Sequence, residues 1–113
     1  MALPLNVYQT ITYVAPTSPV GIYTAPVGYS GVVLLAQAAN VDTVSHTISF
    51  SHKRSVAGVA VTTEILKDFP IPGNDTSTLL GGKLVLESGD ALVLSASDGA
   101  NIKFIGSILE TLN

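Results

Sequence analysis

The sequence predicts an all-β protein: one antiparallel β-sandwich of about eight or nine short strands, with jelly-roll-like wiring. Three observations predict it. Turn-forming residues recur at Pro16 to Pro19, Pro26 to Gly31, Asn40 to Asp42, Pro70 to Asp75, Gly81-Gly82, Ser88-Gly89-Asp90 and Ser97 to Asn101. The stretches between them are short and rich in Val, Ile, Thr, Leu and Tyr, the side chains that suit a pleated, half-buried surface. Several stretches alternate bulky with small polar residues at period two, the repeat of a strand. Many short strands without intervening helices leave a sandwich or small barrel, and this strand count favours the jelly roll.

Taken in order, strands are expected at about residues 5–14, 20–24, 31–39, 43–52, 56–68, 76–80, 83–87, 91–96 and 101–110. Residues 1–6 precede the long first strand as an extended arm. The fourth is the clearest, because Val44, His46, Ile48 and Phe50 alternate with Ser45, Thr47, Ser49 and Ser51 to give one bulky and one hydroxyl face. Val56 to Asp68 is the longest stretch that a helix could claim, but its β-branched residues and Gly58 favour extended chain. Glu87-Ser88-Gly89-Asp90 reads as a tight hairpin, since Gly adopts positive φ cheaply and the Asp carboxylate can accept backbone N–H groups. Asp98-Gly99 suits a type I′ turn and a second hairpin. Together these predict a three-stranded C-terminal meander. Ile102, Phe104, Gly106 and Ile108 form one face of the last strand, while Ile105 and Leu109 on the other parity suggest cover on both sides, by a flanking strand or a neighbouring subunit.

A chain of 113 residues fits a single domain, residues 1–113. Hydrophobic residues make up 47% against 12% charged, which excludes the disordered class. The net charge of −3 and the single basic pair Lys53-Arg54 give no electrostatic footprint for nucleic acid. Without Cys there are no disulfides, thiolate metal sites or thiol nucleophile. Met1 to Asn6 lacks the positive start of an export signal, and the apolar run Val32 to Ala36 is far short of a membrane-spanning helix. Neither a membrane nor a nucleic acid is expected as a partner.

No catalytic or cofactor motif survives inspection, so no enzyme activity, metal or cofactor is expected. Ser45 and His46 point to opposite faces of a strand and cannot form a nucleophile–base pair, and Asp42, on the parity of His46, falls in a turn. His46 and His52 stand about 20 Å apart along a strand, too far to share one ion. Within one chain they read as solvated or hydrogen-bonded imidazoles; copies related by symmetry are the only route to a metal pair. Gly81-Gly82-Lys83 fails as a phosphate loop, because Ser77 stands where Gly is needed and Leu84 where Ser or Thr is needed. Asn74-Asp75-Thr76 reads as an Asx-type turn. The eight acids are scattered, and calcium around Asp98 and Asn101 finds too few oxygens nearby.

There is no Trp, the usual platform for sugar rings. Tyr8 and Tyr13 have opposite parity on the first strand, so one of them is free to face a partner. With Leu5, Val7, Ile105 and Leu109 they form the candidate subunit interface. Positive mean hydropathy and few charges suit a chain whose surface is partly covered by neighbours.

Ile22-Tyr-Thr-Ala-Pro-Val-Gly-Tyr-Ser-Gly-Val-Val-Leu-Leu-Ala-Gln-Ala-Ala-Asn40, the Ser/Thr-rich strand after it, Leu86-Glu-Ser-Gly-Asp90 and Ile102-Lys-Phe-Ile-Gly-Ser-Ile-Leu-Glu110 resemble small β-sandwich structural proteins of tailed bacteriophage virions. The marine cyanophage versions resemble it most. The order of parts covers residues 20–110, through turn chemistry and hydrophobic alternation rather than active-site residues. The resemblance implies a non-enzymatic virion component that homo-oligomerises, as a trimer or hexamer, and docks on capsid (as decoration), neck, tail or baseplate. It also implies assembly with other virion proteins in the host cytoplasm. The alternative is a carbohydrate- or receptor-binding tip, which exposed aromatics clustered at one loop end would support.

Overall fold

The computed structural model describes residues 6–112, and β-strands are the only regular elements among them. They are β1 (Asn6–Val14), β2 (Val20–Thr24), β3 (Tyr29–Asn40), β4 (His46–Val56), β5 (Val59–Ile71), β6 (Asp75–Thr78), β7 (Leu84–Leu86), β8 (Ala91–Ala96) and β9 (Ile102–Leu112). One sheet has the order β1-β9-β3-β6, with β7 also on β3; the other has the order β2-β8-β4-β5. All pairings are antiparallel.

The pairs β1·β9, β2·β8, β3·β6/β7 and β4·β5 describe one long double-stranded ribbon closed at the β4–β5 turn. Rolling that ribbon up brings β9 against β3 and β8 against β4, which is jelly-roll wiring. β6 and β7 fill one strand position between them: β6 lies on the Gln37–Asn40 end of β3 and β7 on Gly31 to Val33. Gly81 and Gly82 bend the chain into β7.

The fourth and fifth strands both start later than expected, at His46 and Val59, and end later, at Val56 and Ile71. Residues 43–45 leave the fourth strand because buried Asn40 gathers them into a loop. Its amide donates to the carbonyls of Val44 (2.8 Å) and Ile71 (2.9 Å), and its side-chain oxygen accepts from the N–H of Asp42 (3.0 Å). The strand expected from residue 56 is interrupted at once. Ala57 (φ 52°) and Gly58 (φ 81°) form a two-residue turn, and Val56 pairs with Val59. β4 pairs with β8 only as far as Lys53, so the end of the β4–β5 hairpin projects past the sandwich and exposes Val56, Val59 and Val61.

The C-terminal meander is wrong. β7 belongs to the first sheet and β8 to the second, so Ser88-Gly89-Asp90 is a corner between sheets. Gly89 does take positive φ, 86°, but its N–H donates to Ala25 rather than closing a hairpin. Ser97 to Asn101 likewise crosses from β8 back to β9. Neither Asp98 nor Gly99 has positive φ, and the Asp98 carboxylate caps the turn by accepting the N–H groups of Ala100 (2.7 Å) and Asn101 (3.2 Å). Leu86 and Leu92 face the same core from opposite sheets. Alternation reads identically for two strands side by side and for two strands face to face.

Phe50 of β4 and Phe104 of β9 meet across that core with ring centroids 5.6 Å apart. Val33, Ile48, Leu94, Ile102 and Ile108 are fully buried around them. The run Val32 to Ala36 fits because the register of β3 shifts between Val33 and Leu35. Val33 and Ala36 both point inward, leaving Leu34 and Leu35 partly exposed.

Candidate functional site

Two polar clusters occupy opposite ends of the β4/β8 pair. At the far end of β8, the β3–β4 loop supplies Asp42, the first residue of β4 is His46, and the β8–β9 loop supplies Asp98 and Asn101. His46 Nε2 lies 2.9 Å from Asp42 Oδ2 and 3.1 Å from Asp98 Oδ2. The Asn101 amide donates to Asp98 Oδ2 at 2.9 Å and lies 3.4 Å from Asp42 Oδ2. Asp42 is held below the usual carboxylate range, first by the hydrogen bond with His46 and then by the Thr43 N–H. Asp98 is lowered too, first by Asn101 and then by the Ala100 N–H. The predicted turn position of Asp42 is right. The scatter of the acids along the sequence hides the convergence of Asp42 and Asp98, which depends on two loops that both cross between sheets at one end.

At the near end, Asp90 sits buried at the β7–β8 corner. It accepts from Arg54 Nε (2.8 Å) and Nη2 (2.6 Å) and from the Glu87 N–H (2.9 Å), and its Oδ2 lies 3.0 Å from His52 Nε2. Arg54 also reaches Glu87 at 2.9 Å. His46 and His52 therefore each have carboxylate partners, at opposite ends of the β4/β8 pair, and one ion cannot bind both.

The outer face of the first sheet carries three of the six predicted interface residues, Tyr8, Ile105 and Leu109. Register places Tyr8 opposite Leu109, Leu109 opposite Val32 and Val32 opposite Val85, so four apolar side chains form one transverse row. Tyr8 is 76% exposed and Val85 59%. Ile105, four residues before Leu109 on β9 and 41% exposed, lies on the same face. Val7 and Tyr13 do not join them. Val7 stands opposite Glu110 and Tyr13 opposite Phe104, on the inward parity of β1. Leu5 and the rest of the arm before Asn6 lie outside the described residues. Val32 and Val85 are absent from the predicted set, and only knowledge of which strand pairs with β3 could have added them.

The outer face of the second sheet is a polar groove. Ser49, Ser51, Ser95, Thr62, Glu64 and Lys53 line it, and none of its lining residues is aromatic. The exposed aromatics Tyr8, Tyr13 and Phe69 lie on strands of different sheets rather than at one loop end. That arrangement does not favour the sugar-binding alternative.

No protein-family model and no curated protein sequence matches this chain. Its fold does match solved structures. A chain of the T13 particle of infectious bursal disease virus superposes with a TM-score of 0.55 at 11% identity, over 97% of this chain and 32% of that one. A chain of the Gx strain of the same virus gives 0.56 at 12% identity, over 96% and 32%. This protein thus spans about a third of the length of those two chains. A chain from the acid-stable capsid of Helicobacter pylori bacteriophage KHP30 gives 0.56 at 10% identity, over 96% of this chain and 89% of that one. At these identities the likeness is one of fold.

Proposed function

We propose that this chain is a non-enzymatic structural subunit of a virus particle, which assembles through the outer face of its first sheet with copies of itself or with other particle subunits. The observation that carries the reading is the apolar row Tyr8–Leu109–Val32–Val85, exposed at both ends and half-buried in the middle. An apolar row across a flat sheet face is costly to leave in water and gains on burial about 25 cal/mol for each Å² covered. The shared fold with chains of two viral particles supports the same reading. In finer terms the subunit is a trimer or hexamer on a tailed-phage capsid, neck or tail, assembled in the host cytoplasm.

Light scattering on the purified protein tests this, together with a double variant Tyr8→Arg, Val85→Lys. The expected result is a wild-type mass three or six times 11.6 kDa that falls toward the monomer in the variant, with an unchanged β-type circular dichroism spectrum. A wild-type protein that stays monomeric at high concentration and does not sediment with purified particles would overturn the proposal.

A further inference from the structure

The geometry points to a divalent transition-metal site, of the zinc type, formed by His46 Nε2 and the Oδ2 atoms of Asp42 and Asp98. This inference is independent of the assembly reading. The three ligand atoms lie within 4.8 Å of one another. A tetrahedral ion with bonds of about 2.0–2.1 Å spaces its ligands roughly 3.4 Å apart. The observed 2.9 and 3.1 Å from Nε2 to the carboxylates therefore need an adjustment of only a few tenths of an ångström.

Three features make the cluster a better fit to a cation than to a proton. Nε2 carries at most one proton, yet two carboxylate oxygens converge on it. No Lys or Arg pairs with either carboxylate among the described residues. Each carboxylate is also fixed through its other oxygen: Asp42 Oδ1 accepts the Thr43 N–H (2.7 Å), and Asp98 Oδ1 accepts those of Ala100 and Asn101. Backbone donors thereby hold both Oδ2 atoms inward, as outer-shell partners do in metal sites. Asn101 lies against both Oδ2 atoms and can turn its amide oxygen to the ion, or water can fill the fourth position. One imidazole with two carboxylates suits Zn²⁺ better than Ca²⁺, which takes six to eight oxygens.

The ion would clip the β3–β4 loop to the β8–β9 loop. Both loops cross from one sheet to the other, so it would close this end of the sandwich.

The test is calorimetric titration of the chelator-treated full chain with zinc chloride, manganese chloride and calcium chloride in separate runs. Thermal melts of the same samples accompany it. One equivalent of zinc should bind, more tightly than manganese, with calcium weakest, and the melting temperature should rise with free zinc. Asp98→Asn keeps an oxygen for the Ala100 and Asn101 N–H groups and so preserves the turn. It and His46→Gln should each weaken zinc binding by more than the roughly 10–100-fold that loss of a mere supporting residue costs. His52→Gln should leave binding intact. Absence of zinc uptake by the wild-type chain, or uptake that survives both Asp98→Asn and His46→Gln, would overturn the inference.

Discussion

The Tyr23 hydroxyl donates a 2.5 Å hydrogen bond to Glu110 Oε2, joining β2 of one sheet to β9 of the other through the buried interior. The register shift of β2 between Gly21 and Tyr23 turns the ring inward. Gly31 on β3 makes room for it: a Cβ there would meet Tyr23 Oη at 3.3 Å. Gln9 completes the group by donating to Glu110 Oε1 at 2.8 Å. Burial, followed by the hydrogen bond and charge of Glu110, pushes the Tyr23 hydroxyl well above its ordinary pKa of 10.0, so it stays a donor at physiological pH.

Tyr23→Phe removes one of the two donors that Glu110 has in the interior. A hydrogen bond to a charged group contributes about 1.5–3 kcal/mol, and urea denaturation should show a loss of that size. Glu110→Gln keeps one oxygen to accept from the Tyr23 hydroxyl, and its new amide N–H can donate to the Gln9 side-chain oxygen once that amide turns over; with the buried charge gone it should cost less than Tyr23→Phe. Equal losses for the two variants would mean that the bond matters only as packing.

Asp90 sets the acid limit of stability. Arg54, then His52 and the Glu87 N–H, hold its carboxyl well below the usual carboxylate range against the opposing effect of burial. Because the folded value lies below the unfolded value of about 3.9, the contribution is complete above pH 5 and fades as the pH falls through 4 toward the folded value. Melting temperatures measured from pH 7 to pH 2 should drop in this acid range for wild type and drop less for Asp90→Asn. At pH 7 Asp90→Ala should cost roughly 2–3 kcal/mol, since it strands Arg54 and the Glu87 N–H.

Ala57 occupies a left-handed conformation that a residue with Cβ adopts at a cost. Ala57→Asn places there a residue that two-residue hairpin turns favour and should gain about 0.5–1 kcal/mol locally. The end of the hairpin projects beyond the sandwich, so the gain should register as slower amide exchange over residues 54–61 rather than as a higher global melting temperature.

Gly73 fits closely under the loop that carries Asp42. A Cβ on it would stand 2.3 Å from the Thr43 carbonyl oxygen, which is backbone and cannot swing aside. Asn74 N–H donates to the Asp42 carbonyl (2.9 Å) in the same knot. Gly73→Ala should therefore destabilise by about 2 kcal/mol or more, and Asn40→Ala by a similar amount through its unsatisfied buried carbonyl groups. Chemical denaturation checks both. A loss under 0.5 kcal/mol in either would show that the loop relaxes freely.

Composition and alternation were enough to place nine strands close to where they lie and to name the sandwich. Those signals are local: a run such as His46-Thr-Ile-Ser-Phe50 states which side chains face inward whatever lies beside it. The same locality explains the failed meander, because Leu84 to Leu86 and Ala91 to Ala96 carry the same inward pattern whether they pair with each other or sit in opposing sheets. It also explains the unseen turn at Ala57-Gly58, which lacks the Asn or Asp that marks such turns. What tertiary structure alone decided is which remote segments meet. Rolling the ribbon carried Asp98 to His46, Glu110 to Tyr23 and Val85 to Val32, and those contacts between segments distant in sequence created the polar clusters and the apolar row from residues that, read singly, look ordinary.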